Sequence, residues 1–221
     1  MPDDLALPPA LQSLLHEHRI AVGARHYRIL SVGNIDELLD SLPDDADVPY
    51  WAILWDSAVA LSLWVRDHAE ALRGKRVLEL GTGLGLCAMS AQELGAEVVQ
   101  TDNHVPALRV AAENARRNGL AVPTQLLADW REWDHDDLYD VILGSDVVYE
   151  LPSQDLLLRI FRRNLRPGGW LALADPFRES GWEMASRLSR EGWAVDLQSR
   201  VVLDDAKKPK EILIVQATRG V

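Results

Sequence analysis

Three glycines at alternate positions, Gly81, Gly83 and Gly85, separate the apolar run Arg76–Leu80 from a helix-patterned segment that begins at Leu84. No other stretch of the 221-residue chain constrains the fold as much. A strand that meets glycines and then a helix is the unit at which parallel α/β sheets hold ligands. Backbone without side chains lets a ligand lie directly against it. A dinucleotide fingerprint would space the glycines G-x-G-x-x-G/A. Here the third glycine is Gly85 and the next residue is Leu86. The pattern G-x-G-x-G suits an uncharged or zwitterionic ligand better than a pyrophosphate, which argues against a nicotinamide oxidoreductase.

The surrounding pattern agrees with an α/β chain. Short apolar runs at Glu97–Thr101, Thr124–Ala128, Tyr139–Gly144 and Gly169–Ala174 alternate with helical segments, the mark of a parallel sheet with crossover helices. The helices carry end signals. Leu84–Leu94 stops at Gly95, the next has Pro106 in its first turn and closes at Asn118-Gly119, and Ser153 is placed to cap a third. That third helix ends in Arg159, Arg162, Arg163 and Arg166, read as a solvated face favoured by the helix dipole. After a helix near Gly181–Glu191, two extended stretches, Ala194–Leu203 and Glu211–Thr218, are too close in sequence to do anything but pair as a hairpin. The expected architecture is a Rossmann-like doubly wound sheet of five parallel strands plus a terminal hairpin, one of whose strands runs antiparallel. Residues 1–55 read as a separate layer, with a helix at Ala10–His18, a strand at Arg25–Val32 and a helix at Ile35–Leu42. A long amphipathic helix follows from about Asp56.

Composition excludes several function classes. With 34 acidic and 23 basic residues the net charge is −11, so nucleic acid is not expected as a partner, since such binding draws on phosphate neutralisation. One cysteine, Cys87, allows no internal disulfide. No apolar run reaches the ~18 residues of a membrane span, and the acidic start MPDDLALPPA does not resemble a signal peptide. These features point to a soluble cytoplasmic protein with no membrane partner. The six histidines are scattered, and His16 and His18, two apart on the expected helix, diverge, so no metal site is expected. Between Ile29 and Val65 lie seven acids and no lysine or arginine. This reads as a solvated surface, with attraction of a cationic substrate segment as the alternative.

Two further strand ends carry polar groups in register with the glycine loop. Asp102, twenty-one residues after Gly81, is placed to accept from two ribose hydroxyls or to cap the following helix, and both roles are compatible. At Asp129-Trp130 a carboxylate is placed to accept from an adenine amino group, with an indole beside the ring. Together, VLELGTGLGL, Asp102, Ala128-Asp129-Trp130 and YDVILGSDVVYE resemble the class I, seven-strand S-adenosylmethionine-dependent methyltransferases, over about residues 50–220. Within that class, Ser145-Asp146-Val147-Val148-Tyr149 resembles the D-x-x-Y signature of the seven-strand protein-lysine methyltransferases. Ile53-Leu54-Trp55-Asp56-Ser57-Ala58 is similar to that group's tryptophan segment over the cofactor.

The resemblance implies S-adenosylmethionine as cofactor. Glu79, Gly81, Gly83 and Gly85 would line its methionine and ribose side, Asp102 would take the ribose hydroxyls, and Asn103 would lie beside the adenine. Asp129 and Trp130 would hold the adenine, Trp55 would cover the sulfonium, and Ser145 would stand with the cofactor set. Asp146 and Tyr149 would face the acceptor as the catalytic pair. Residues 1–55 then become an extension that covers the active site, and 56–221 the methyltransferase domain. The implied acceptor is a protein lysine. Alternatives are a small-molecule N- or O-methyltransferase and a non-catalytic S-adenosylmethionine-binding module. The segment Ala174-Asp175-Pro176-Phe177-Arg178 departs from the family pattern. It also lacks the second proline of the D/N-P-P-Y motif of amino-methylating nucleic-acid enzymes.

Overall fold

The structure is a computed structural model that describes residues 7, 9–33, 35–40, 48–204 and 207–220. Its elements run α1 (Pro9–Leu14), β1 (Leu15–Val22), β2 (Arg25–Val32), α2 (Ile35–Asp40), α3 (Asp56–Asp67) and α4 (Ala69–Leu72). They continue with β3 (Arg76–Leu80), α5 (Leu86–Glu93), β4 (Glu97–Asp102), α6 (Val105–Arg117), β5 (Thr124–Leu127), β6 (Tyr139–Ser145) and α7 (Leu151–Asn164). The last are β7 (Leu165–Asp175), α8 (Glu179–Arg190), β8 (Ala194–Leu203) and β9 (Pro209–Thr218). Strands β3 to β9 form one seven-stranded sheet in the order β5-β4-β3-β6-β7-β9-β8. The first five are parallel, and β9 lies antiparallel between β7 and β8, as the alternation and the terminal hairpin predict.

Period-two burial divides the sheet into two packed faces. Leu78, Leu80, Ile142, Leu171, Leu173, Leu213 and Val215 meet Leu157, Phe161, Met184 and Leu188 of α7 and α8. The intervening Val77, Val141, Leu143, Ala172, Ala174, Ile212 and Ile214 meet Leu61, Trp64 and Val65 of α3 and Ala88 and Ala91 of α5. From β3 the chain winds outward through β4 to β5, then returns to place β6 on the other side of β3. That reversal opens a crevice at the carboxyl ends of β3 and β6, where open α/β sheets bind ligands. The glycine loop leaves β3 at this crevice.

The N-terminal layer differs from the expectation. Helix α1 ends at Leu14, and Leu15–Val22, which takes in the second half of the expected Ala10–His18 helix, is strand β1, paired along its length with β2 across the two-residue turn Gly23-Ala24. Pairing and burial of Leu15 and Val22 override the local helical pattern. The ladder also puts His16 and His18 on one face of a strand, yet no metal-binding cluster is found among the described residues. Helix α6 completes the hairpin. The buried Asn114 accepts from Leu30 N–H at 2.7 Å and donates to Leu30 O. One turn on, Asn118 accepts from Arg28 N–H at 2.9 Å and donates to Arg28 O at 2.8 Å. Two asparagines four apart thereby satisfy the outer edge of β2 as a third strand would.

Two smaller expectations also change. Ser153 lies inside α7, whose N-cap is Glu150, and its hydroxyl donates to the Glu150 carboxylate. Arg162, Arg163 and Arg166 pair with Glu191, Asp136 and Asp140, which fits a charged helix face. Of the seven acids before Val65, Asp44, Asp45 and Asp47 lie outside the described residues, while Asp36 and Asp40 are exposed. No helix among the described residues is long and apolar enough to cross a membrane.

Candidate active site

The loop after β3 is held by its own backbone. Thr82 N–H donates to Thr101 O at 2.8 Å, and Gly85 N–H donates to Thr82 O at 2.8 Å. Gly81 has φ +65°, and a Cβ there would stand 2.9 Å from Val147 and 3.7 Å from the Trp130 ring. The missing side chain keeps the crevice open between β3 and the loop after β6. Gly85 acts differently. It is the left-handed N-cap of α5 (φ +80°), and a Cβ would meet Ala111 of α6 at 2.9 Å. It closes helix against helix and, contrary to expectation, does not line the cleft.

Two buried carboxylates flank this loop. Asp102 accepts from Gly83 N–H and His104 N–H, both at 3.0 Å. Asp102 thus holds the loop and receives the N–H of His104; the N-cap of α6 is His104, not Asp102 as the sequence suggests. Glu79, on β3 beneath the loop, is only 2% exposed, and Thr82 Oγ1 donates to its Oε2 at 2.5 Å. Burial pushes its carboxyl up to about 7, against the pull of the Thr82 and Ala88 hydrogen bonds. Burial beside Glu79 likewise raises the Cys87 thiol, leaving an inert, packed side chain.

The cleft has a volume of about 750 Å³, within the range of cofactor sites. Trp55, Glu79, Gly81, Gly83, Asp102, Asn103, Asp129, Trp130, Ser145, Asp146 and Tyr149 all line it. Eleven of the twelve residues singled out in the sequence are thus brought together, Gly85 being the exception. At the β5 end, Asp129 binds the Arg131 guanidinium through both oxygens, which holds its carboxyl below the usual range. From residues 1–55, the wall takes Val48, Tyr50, Trp51, Ile53, Leu54 and Trp55. Ile53 bridges to Val32 at the end of β2, so the hairpin anchors this segment. Trp55 donates its indole N–H to Tyr50 O at 3.1 Å, and the two rings stand 6.3 Å apart.

At the β6 end, Asp146 adopts φ +55°, a left-handed conformation that Asp tolerates better than most residues. Its N–H donates to Ala174 O at 2.9 Å. Its Oδ1 accepts from Arg178 Nη1 at 2.5 Å, and the same nitrogen donates to Asp175 Oδ2 at 3.1 Å. Asp175 is 1% exposed, and its burial raises its carboxyl despite that neighbour. Tyr149, half exposed, has its hydroxyl raised by burial and by the acids Glu150 and Asp146, so it remains protonated at neutral pH.

Sequence reasoning missed Arg178, Arg131, Thr82 and the wall residue Tyr50, and does not decide between site and core for Trp51, which lines the wall. The unusual Asp175–Arg178 stretch was the available signal for Arg178, but nothing in it revealed which carboxylates would receive the guanidinium.

Residues 44–174 match the profile of a family described as lysine methyltransferase. The chain belongs to this family. A histone-arginine methyltransferase of Xenopus laevis is 30% identical over 79% of this chain and 79% of its own. A protein N-lysine methyltransferase of Danio rerio is 41% identical over 44% of this chain, which spans 48% of that relative. Among solved structures, the 16S rRNA N2 G1207 methyltransferase of T. thermophilus, in complex with AdoMet and guanosine, superposes with a TM-score of 0.64 at 20% identity. That match covers 96% of this chain and 52% of the other, and it shows the shared fold. The family member described here is accordingly a methyltransferase that uses S-adenosylmethionine. Its cleft fits that group on structural grounds: a glycine cradle that a Cβ at Gly81 would fill, and buried acids at the ends of β3 and β4.

Proposed function

We propose that this methyltransferase acts on the side-chain amine of a protein lysine. The observation that carries the reading is the acidic end of the cleft, where Asp146 and Asp175 share the guanidinium of the chain's own Arg178, at 2.5 and 3.1 Å. In this reading Gly81, Gly83, Glu79 and Asp102 hold the methionine and ribose part of the cofactor, Ser145 stands with them, and Asn103 lies beside the adenine. Asp129 and Trp130 hold the adenine. When bound, S-adenosylmethionine supplies a methyl group on a sulfonium, and the protein aligns the acceptor and excludes water. Residues 48–55 cover the site through Trp55, with the β1–β2 hairpin as their anchor through Val32. Asp146 orients the amine and takes its proton through water, and Tyr149 packs and hydrogen-bonds beside it. A lysine must lose its charge to react, and the aromatic surround of Tyr50, Trp55 and Tyr149 favours that loss by desolvation.

A second reading, transfer to an arginine guanidinium, is supported by the frog relative, which matches the larger share of the chain. The test is transfer of isotopically labelled methyl groups into a cell lysate, with the modified residue located by mass spectrometry. Label on protein lysine, lost by ~100-fold or more in Asp146→Asn while cofactor affinity stays within about twofold, is expected. Label on arginine selects the second reading. Label confined to small molecules, or undiminished in Asp146→Asn, overturns the proposal.

A further inference from the structure

Arg178 is the N-cap of α8 and reaches back over the end of β7. Its backbone N–H donates to Asp175 Oδ1 at 2.7 Å, and its Nη1 is shared between Asp175 and Asp146. The two acids are not equivalent. Asp175 is enclosed, with α8 pressed so closely on it that a Cβ at Gly181 would lie 2.8 Å from its Oδ1. Asp146 lines the cleft, and the Arg178 side chain, 38% exposed, lies over it. Asp175 is therefore the arginine's anchor, and Asp146 is the group the arginine covers. Two carboxylates against one guanidinium leave this end of the cleft with a net negative charge, which favours a second cation. Among the described residues, the other guanidinium lining the cleft, Arg131, is bound to Asp129 at the far end.

We propose that Arg178 is a specificity-determining residue that occupies, from within the chain, the seat of the substrate's cationic side chain. An incoming lysine or arginine displaces the guanidinium from Asp146, and Asp175 retains it. A neutral acceptor offers no charge in exchange and leaves the Asp146 carboxylate unpaired, so the exchange selects cationic side chains. This inference rests on the reading of Asp146 as the acceptor-side acid.

The experiment uses the full chain saturated with S-adenosylhomocysteine, titrated by NMR with n-butylammonium, n-butylguanidinium and n-butanol as side-chain probes. The affinity for S-adenosylhomocysteine serves as the folding control. Arg178→Met is expected to bind both cations at least tenfold more tightly than the wild type, with no gain for butanol. The gain should vanish in Asp146→Asn/Arg178→Met. Because Arg178→Met leaves Asp175 buried without its partner, Asp175→Asn/Arg178→Met is measured beside it, and the same gain is expected there. Cation affinity that is unchanged in both variants, or a gain that survives Asp146→Asn, overturns the proposal. If the wild type already binds the cations as tightly as the Arg178 variants, and Asp146→Asn weakens that binding, the acceptor-site reading stands and only the displacement fails. If Asp146→Asn alters nothing in any background, both fall.

Discussion

At the β3–β4 end of the cleft, the glycine loop is held through its backbone N–H groups; at the β6–β7 end, two carboxylates share one guanidinium. Asp102 accepts two main-chain N–H groups, and Thr82 N–H is fixed on Thr101 O. These contacts, with those of Thr82 to Glu79 and of Gly85 N–H to Thr82 O, hold the geometry of the loop. By contrast, Asp146, Arg178 and Asp175 form a charge cluster in which one nitrogen serves two acids. An arrangement of backbone bonds holds one shape. A shared guanidinium can change partners without unfolding anything. The first suits a ligand that every turnover must hold in the same pose. The second suits an end of the cleft where one cation replaces another.

The contrast can be broken most severely at Glu79. Its carboxyl stands at about 7 in the fold against an ordinary 4.5. The folded state therefore retains a proton that the unfolded chain releases, and this contribution to stability is lost as pH rises from about 4.5 through about 7. Glu79→Gln, which keeps the shape and removes the titration, should gain on the wild type across that window by up to about 3 kcal/mol in urea unfolding. A difference that does not change with pH would show that Glu79 titrates normally.

Next in size is Gly81→Val. Its side chain would enter the space of Val147 from a left-handed backbone position. We expect cofactor affinity to fall by about a hundredfold in calorimetry, some 2.7 kcal/mol, while circular dichroism shows the sheet intact. Affinity close to that of the wild type would mean that the loop does not border the cofactor. Smallest is Asp102→Ala, which releases the Gly83 and His104 N–H groups and removes the carboxylate proposed to take the ribose hydroxyls. A tenfold loss of affinity, about 1.4 kcal/mol, is expected, with little response to added salt because the acid is only 7% exposed. A strong salt response would erase the distinction drawn between the two ends.

Much of this was legible from residue order. Strand β3 occupies Arg76–Leu80 as the apolar run indicated, β8 occupies Ala194–Leu203, and the terminal hairpin pairs as its short connection required. Buried runs, glycine stops and strand-end acids are local signals, so they can be read locally. The β1 strand was not legible, because its extended form depends on pairing with β2, whose other edge is satisfied by Asn114 and Asn118 of α6, more than eighty residues away. Gly85 carried the right residue type for the wrong reason. Its small size serves the contact with Ala111, which only helix packing brings near.

The sequence by itself therefore determined the order of strands and helices from β3 onward, the loop that opens the cleft and eleven of the residues that line it, since each follows from period, spacing, a short motif or the family resemblance. Only the tertiary structure decided which charges meet. Asp146 and Arg178 lie thirty-two residues apart at the ends of adjacent strands, and no local pattern shows that a guanidinium leaving the start of α8 will cross β7 to reach them. Electrostatic partnership is set by distance in space, and that distance is fixed when β6 and β7 pair in register.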